Sequence, residues 1–192
     1  MRLAEHSRSV VERTIARLRD EYGRFDVLGE SVELSRAGFG RKREAMERGR
    51  IGSACVLVEN DADEVLMTRL ATAPVVWSIP EGRLDEGDRP TDAAARAVDE
   101  TTGVTCSIHD VFQVRRIRTT LLDRPSAPTL HELRVYFEGH YDGGIPRPYG
   151  DVQAVRWRSS PPSAVEATIR PRIDDWAQDV RPSPTEGTSA GT

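Results

Sequence analysis

The side chains best equipped for chemistry gather between residues 81 and 104. Glu81, Asp88 and Glu100 bring carboxylates and Arg96 a guanidinium, all in or beside the stretch GRLDEGDRPTDAAARAVDETTGV at 82–104. That stretch reads as a glycine loop, a turn, a short helix and a glycine stop. Thr91 suits the cap, where a side-chain oxygen accepts a free N–H of the first turn, and Asp92 suits the positive end of the helix dipole. Residues 93–98 are mostly strong helix formers. Gly103 falls just past the end, where a left-handed residue is wanted. Pro80, Gly82 and Gly87 keep the preceding loop irregular. Positions 97, 100 and 101 are related as i, i+3 and i+4 and share one helix face. They are Ala97, Glu100 and Thr101, so that face carries one carboxylate. Asp99 points about 100° away around the helix and does not replace Thr101.

The same residues resemble a Nudix box, the loop-helix-loop of hydrolases that cleave nucleoside diphosphates linked to another moiety. The family pattern is G, five residues, E, seven residues, R-E-U, one residue, E-E, one residue, G-U, with U an aliphatic. Gly82, Asp88, Arg96, Val98, Glu100, Gly103 and Val104 keep every spacing of it. Trp77-Ser78-Ile79-Pro80 before the box and Val155-Arg156-Trp157 after it are similar to the family's flanks, and the likeness covers roughly residues 51–178. The resemblance implies an α/β/α sandwich around a mixed sheet, preceded here by an N-terminal helical extension. It also implies cleavage of a pyrophosphate bond with Mg²⁺ or Mn²⁺ as cofactor and a nucleotide-type small molecule as substrate. In the family three helix glutamates hold the ion. Two of those positions are Ala97 and Thr101 here, so the frame is kept and the metal site is eroded. Glu100, Glu81 and Asp88 are the remaining metal ligands expected, and Glu100, Arg96 and Glu138 the catalytic residues. Arg96 would orient a carboxylate by ion pairing, or pair with Glu100 one turn on. The alternative to a hydrolase is a Nudix-like module that binds a nucleotide or regulates a partner without cleaving.

Other carboxylates stand as compensating groups. Glu132 and Glu138 share one strand face through the period-2 alternation, and Asp151 opens the segment before Val155. Arg116 and Arg118, also on one face, are suited to bidentate contact with phosphate and, with Gly82, form the expected substrate-binding set. His109, His131 and His140 lack metal-ligand spacing. Cys55 and Cys106 lack it too and read as buried thiols in a reducing cytoplasm.

The elements that must hold these groups follow from the pattern. Val11, Ile15, Leu18 and Tyr22 mark an amphipathic helix over residues 7–22, with Ser9 and Glu12 as a capping box. Residues 25–34 form a short strand or hairpin. Residues 35–48 form a second helix with Phe39, Arg43 and Met46 on one face; its basic side chains suit a solvated face or phosphate contact. The run IGSACVLVE at 51–59 suits a buried strand, and residues 60–63 its turn. Further strands are expected at 64–70, 106–120, 131–140 and 152–158. A last helix contains Val165, Ile169, Ile173 and Trp176, interrupted at Pro171. Residues 1–50 thus form the extension, 51–180 the domain and 181–192 a disordered tail. The chain has 192 residues, 38% hydrophobic and 30% charged, and a net charge of −4, which opposes general affinity for nucleic acid. No apolar run approaches the ~20 residues of a membrane span, and the first residues carry no hydrophobic signal core. The N-terminal helix is expected to pack on the domain or on a second copy, as a homodimer element.

Overall fold

A computed structural model describes residues 2–124 and 126–180; the expected tail at 181–192 lies outside them. In chain order the elements are α1 (Leu3–Tyr22), β1 (Asp26–Leu34), α2 (Arg36–Glu47), β2 (Arg50–Glu59), β3 (Val65–Leu70), β4 (Glu81–Asp85), α3 (Pro90–Thr102), β5 (Val104–Leu121), β6 (Leu130–Gly144), β7 (Val152–Arg158) and α4 (Arg170–Asp179). The strands form one mixed sheet in the order β1-β5-β6-β2-β3-β7, with β4 added against β2. β1 runs parallel to β5 and β2 parallel to β6; the other pairs are antiparallel.

Alternation along β2 and β6 divides the core in two. Ala54, Val56, Val58, Leu133, Val135 and Phe137 face one way, against Val10, Val11, Ile15 and Leu18 of α1 and Ala93, Ala94 and Val98 of α3. Cys55, Leu57 and Tyr136 face the other way, against Ile169, Ile173 and Trp176 at α4. Helices therefore cover both faces, giving the expected sandwich. Among the described residues no helix is long and apolar enough to cross a membrane.

Three local expectations change. α1 begins at Leu3 without a side-chain cap, so Ser9 and Glu12 lie inside it and the capping box does not form; Ser9 instead accepts a hydrogen bond from Arg13. α3 starts at Pro90, one residue before Thr91, and Arg89 at its cap makes no side-chain bond. A proline at the first helical position has its φ already set and loses no needed donor. Pro171 likewise stands in the first turn of α4 rather than interrupting a longer helix. Residues 161–169 are therefore outside that helix. Their Val165 bridges Trp77 as an isolated parallel pair.

Two features of the sheet position the site. The free edge of β2 is shared: residues 50–55 pair with β4, while only Glu59 pairs with β3. A cleft opens where β4 and β3 part. On α3, Gly103 ends the helix in the left-handed conformation (φ 68°), its N–H donating to the Asp99 carbonyl.

Candidate functional site

Gly82 and Ala97 bring loop and helix together. A Cβ on residue 82 would collide with the Ala97 Cβ, so only glycine lets β4 lie this close to α3. Ala97 is 3% exposed, while Glu100, one turn on, is exposed. Arg83, Asp85, Asp88, Arg96, Ala97 and Glu100 line a pocket of about 250 Å³ above the helix. Within it Arg96 Nη2 donates to Asp88 Oδ2 at 2.8 Å, and Asp88 Oδ2 also accepts the Asp85 N–H at 3.2 Å. Slight burial opposes the Asp88 charge, but the Arg96 and Asp85 donors outweigh it and hold the carboxyl below its usual range. Arg96 thus pairs with the loop carboxylate rather than with Glu100. The Thr101 hydroxyl donates to the Ala97 carbonyl and so is turned back onto its own helix.

The cleft between β4 and β3 adjoins this pocket through Arg83, which lines both. Its volume is about 300 Å³, and Arg50, Ser78, Glu81, Gly82, Asp151 and Glu166 also line it. Arg134 from β6 ties its carboxylates together: Nε lies 3.3 Å from Glu81 Oε1 and Nη1 lies 3.5 Å from Glu166 Oε1. Glu166 Oε2 accepts from the Ser78 hydroxyl at 2.5 Å. Burial disfavours the Arg134 charge, and Glu81 beside it more than offsets this, so the guanidinium holds its proton more tightly than a free arginine. Beneath lies Cys55, whose thiol burial pushes well above its ordinary value, leaving an inert side chain.

The expected site residues do not all meet. Glu100, Arg96 and Asp88 share the pocket on α3, and Glu81 and Gly82 share the neighbouring cleft. Glu138 is elsewhere: it accepts from Arg172 Nε at 2.7 Å near the edge of α4, where Arg172 also meets Glu59, and it lines neither pocket. Arg116 and Arg118 are also displaced from this site. They line a separate pocket against α1 with Arg8, Glu12, Thr129 and His131, and Arg116 Nη1 lies 3.7 Å from Glu12. Glu166 was not anticipated. Its only sequence signal is its place in a proline-flanked segment, and its position depends on its N–H reaching the Trp77 carbonyl. Trp77 packs on the second core and is flanked by the guanidiniums of Arg69 and Arg158, 5.0 and 4.6 Å from its ring centre. Cys55 is buried and Cys106 half-buried; both are free.

A small divalent ion takes near-octahedral oxygen coordination. Among the described residues no three His, Cys, Asp or Glu side chains gather into a group able to hold one. Glu81 lines the cleft and Glu100 the pocket on α3, neither space being lined by both, and Asp88 is occupied by Arg96. The donor set therefore does not fit a metal site built by the protein alone.

Comparison with known proteins agrees with this frame. A family model described as NUDIX domain matches residues 49–179. ADP-ribose pyrophosphatase of Bacillus subtilis (strain 168) is 32% identical over 102 residues, covering 51% of this chain and 54% of that protein. The chain thus spans about half the length of the curated relative it matches. Among solved structures, the MutT protein from Methanosarcina mazei Go1 is 18% identical with a TM-score of 0.51, covering 69% of this chain and 96% of that one. A hydrolase of the NUDIX family from Clostridium perfringens is 11% identical with a TM-score of 0.50, covering 69% and 99%. Both are likenesses of fold.

Proposed function

The chain belongs to the NUDIX domain family, and from that premise we propose that it hydrolyses the pyrophosphate bond of a nucleoside diphosphate derivative. The observation that carries this reading is the retained box geometry: Gly82 packed on Ala97, Asp88 held by Arg96, and Glu100 open to a pocket joined to the cleft. ADP-ribose is the first substrate to test, because the curated relative is an ADP-ribose pyrophosphatase. In the reaction a water oxygen bonds to one phosphorus and the bridging P–O bond breaks. The water's proton goes to a carboxylate, and the released phosphate group leaves with the bridging oxygen. Glu81 is suited to accept that proton. It faces the cleft, and among the described residues only its Oε1 is engaged, by Arg134. Arg83 and Arg50 line the same cleft and offer positive charge where negative charge develops on phosphate oxygens. NUDIX hydrolases generally use divalent metals; Mg²⁺ or Mn²⁺ is the ion proposed here. With Glu100 as the one helix carboxylate, most of its oxygens would come from substrate phosphates and water.

The test is turnover of ADP-ribose to AMP and ribose 5-phosphate with Mg²⁺, with Mn²⁺ and with chelator. Glu100→Gln and Glu81→Gln should each lower kcat by at least about tenfold, the order expected for a lost charged or proton-transfer group. A Glu100→Gln variant as fast as the parent would remove that residue from the site. Titration of Mn²⁺ into nucleotide-free protein should give no tight saturable binding. The absence of a three-carboxylate group favours one second reading, a nucleotide-binding or regulatory module. Nucleotide binding without turnover under every metal condition would select it.

A further inference from the structure

A fourth pocket, of about 360 Å³, lies between α2 and the sheet and continues the cleft. Arg50 and Glu81 line both. Gly52 and Leu133 lie in its lining, where a Cβ on residue 52 would collide with the Leu133 carbonyl. Its charged lining is four cations and two carboxylates: Arg41, Lys42, Arg50, Arg134, Glu81 and Glu132. Lys42 is paired with Glu132, and Arg134 with Glu81. Arg41 and Arg50 form no ion pair among the described residues; Arg50 Nε reaches only the Gly52 carbonyl, at 3.4 Å. Two guanidiniums therefore face a concave space whose two lining carboxylates are each already paired with another cation. That is the composition of an oxyanion site, since guanidinium donors match phosphate oxygens in pairs. Arg41 belongs to α2, which lies before the matched family segment at 49–179.

We propose that this pocket binds a further phosphate of the substrate, distal to the bond cleaved, through Arg41 and Arg50. The inference rests on the hydrolase reading above and extends it. The chain before the family segment sets a preference for nucleotides with phosphates beyond the scissile pair, and α2 is a specificity element.

The experiment uses the full chain and Arg41→Ala, with Arg43→Ala as control. Arg43 is on the same helix, is paired with Glu47 and does not line the pocket. KM and kcat are measured for ADP-ribose and for a dinucleoside tetraphosphate, and inorganic triphosphate and orthophosphate are titrated calorimetrically. Arg41→Ala should raise KM for the tetraphosphate about tenfold, the loss of one charge-assisted contact, and weaken triphosphate binding similarly. It should leave kcat and the KM for ADP-ribose within about twofold, and Arg43→Ala should change none of these. Equal effects of Arg41→Ala on both nucleotides, or none on either, would overturn the inference while leaving the hydrolase reading intact. Triphosphate binding that depends on Arg41, in a protein that turns nothing over, would retain the subsite and remove the hydrolase. Arg41-dependent binding of orthophosphate but not of triphosphate would mark a free-anion site and overturn the substrate role.

Discussion

Lys42 and Glu132 stand 90 positions apart and meet as an ion pair beneath α2, with Glu132 only 8% exposed. Lys42 is the only lysine, so arginine supplies 26 of the 27 basic side chains. Exposed pairs are worth up to about 1 kcal/mol, and breaking a fully buried one costs about 3–5 kcal/mol. This half-buried pair falls between, at about 2 kcal/mol. The cost should be asymmetric. Lys42→Met strands a buried carboxylate, whereas Glu132→Gln leaves a lysine free to reach solvent. Denaturant melts of both variants and the double variant should therefore rank Lys42→Met as the least stable. His131 makes a second residue-scale prediction. Burial, then Arg118, Arg8 and Arg116, depress its pKa below the ordinary 6.5, with Glu12 opposing. The folded state thus binds fewer protons than the unfolded chain, and stability falls as pH drops below about 6.5 toward the lower folded value. His131→Gln should lose less stability than the parent between pH 8 and pH 5, read by urea melts at each pH. Arg116 and Arg118 teach why such residues escape a sequence reading. Their shared face was legible from alternation, but which face meets α1 is set by the register of β5 on β6, which no local pattern fixes. Glu138 was similarly legible as a strand carboxylate, and its capture by Arg172 of α4 was not.

α3 shows what an element's own sequence can specify. Its glycine stop and the joint placing of Asp88, Arg96 and Glu100 follow from spacing within 23 residues, because the Asp88–Arg96 contact spans only eight positions and the rest lies within one helix. Its cap falls two residues earlier than expected, at Arg89, because Thr91 offers a cap while Pro90 offers a preset φ, and the proline prevailed. Ser9 in α1 lost its capping role for the related reason that Leu3 to Arg8 continue the helix ahead of it. The cleft was less legible, since Glu166 and Arg134 come from segments far from the box. The eroded face of α3 supports a gain-of-function prediction. Ala97 lines the pocket and Thr101 stands one turn from it, so Ala97→Glu with Thr101→Glu would place three carboxylates on one face with Glu100. Mn²⁺ should then bind the nucleotide-free protein saturably, as it should not bind the parent, and ADP-ribose turnover should rise. Gly82 must remain glycine in that variant. Gly82→Ala would overpack the Ala97 contact and cost about 1–3 kcal/mol.

At the scale of the molecule, α1 is built into the core and β1 into the sheet. β1 adds a parallel strand along β5 over nine register pairs. Val10, Val11, Ile15 and Leu18 of α1 are at most 3% exposed and share one cluster with Val98 of α3 and Phe137 of β6. Burying each such side chain contributes about 1.5–3 kcal/mol, so the four together contribute about 6–12 kcal/mol. That is comparable to the whole stability of an ordinary domain, about 5–15 kcal/mol. Removing residues 1–49 would also leave the β5 edge unpaired, a surface prone to association. The chain from residue 50 onward should therefore fail to fold as a monomer, although it contains nearly the whole family segment. Circular dichroism and size exclusion would read this directly, and Leu18→Ala in the full chain should lose about 2–5 kcal/mol in denaturant. A truncated chain melting cooperatively at the parent's temperature would make the extension an appendage. In that case α2 and its arginines would be free to leave the pocket they now line, and the site would end at the cleft.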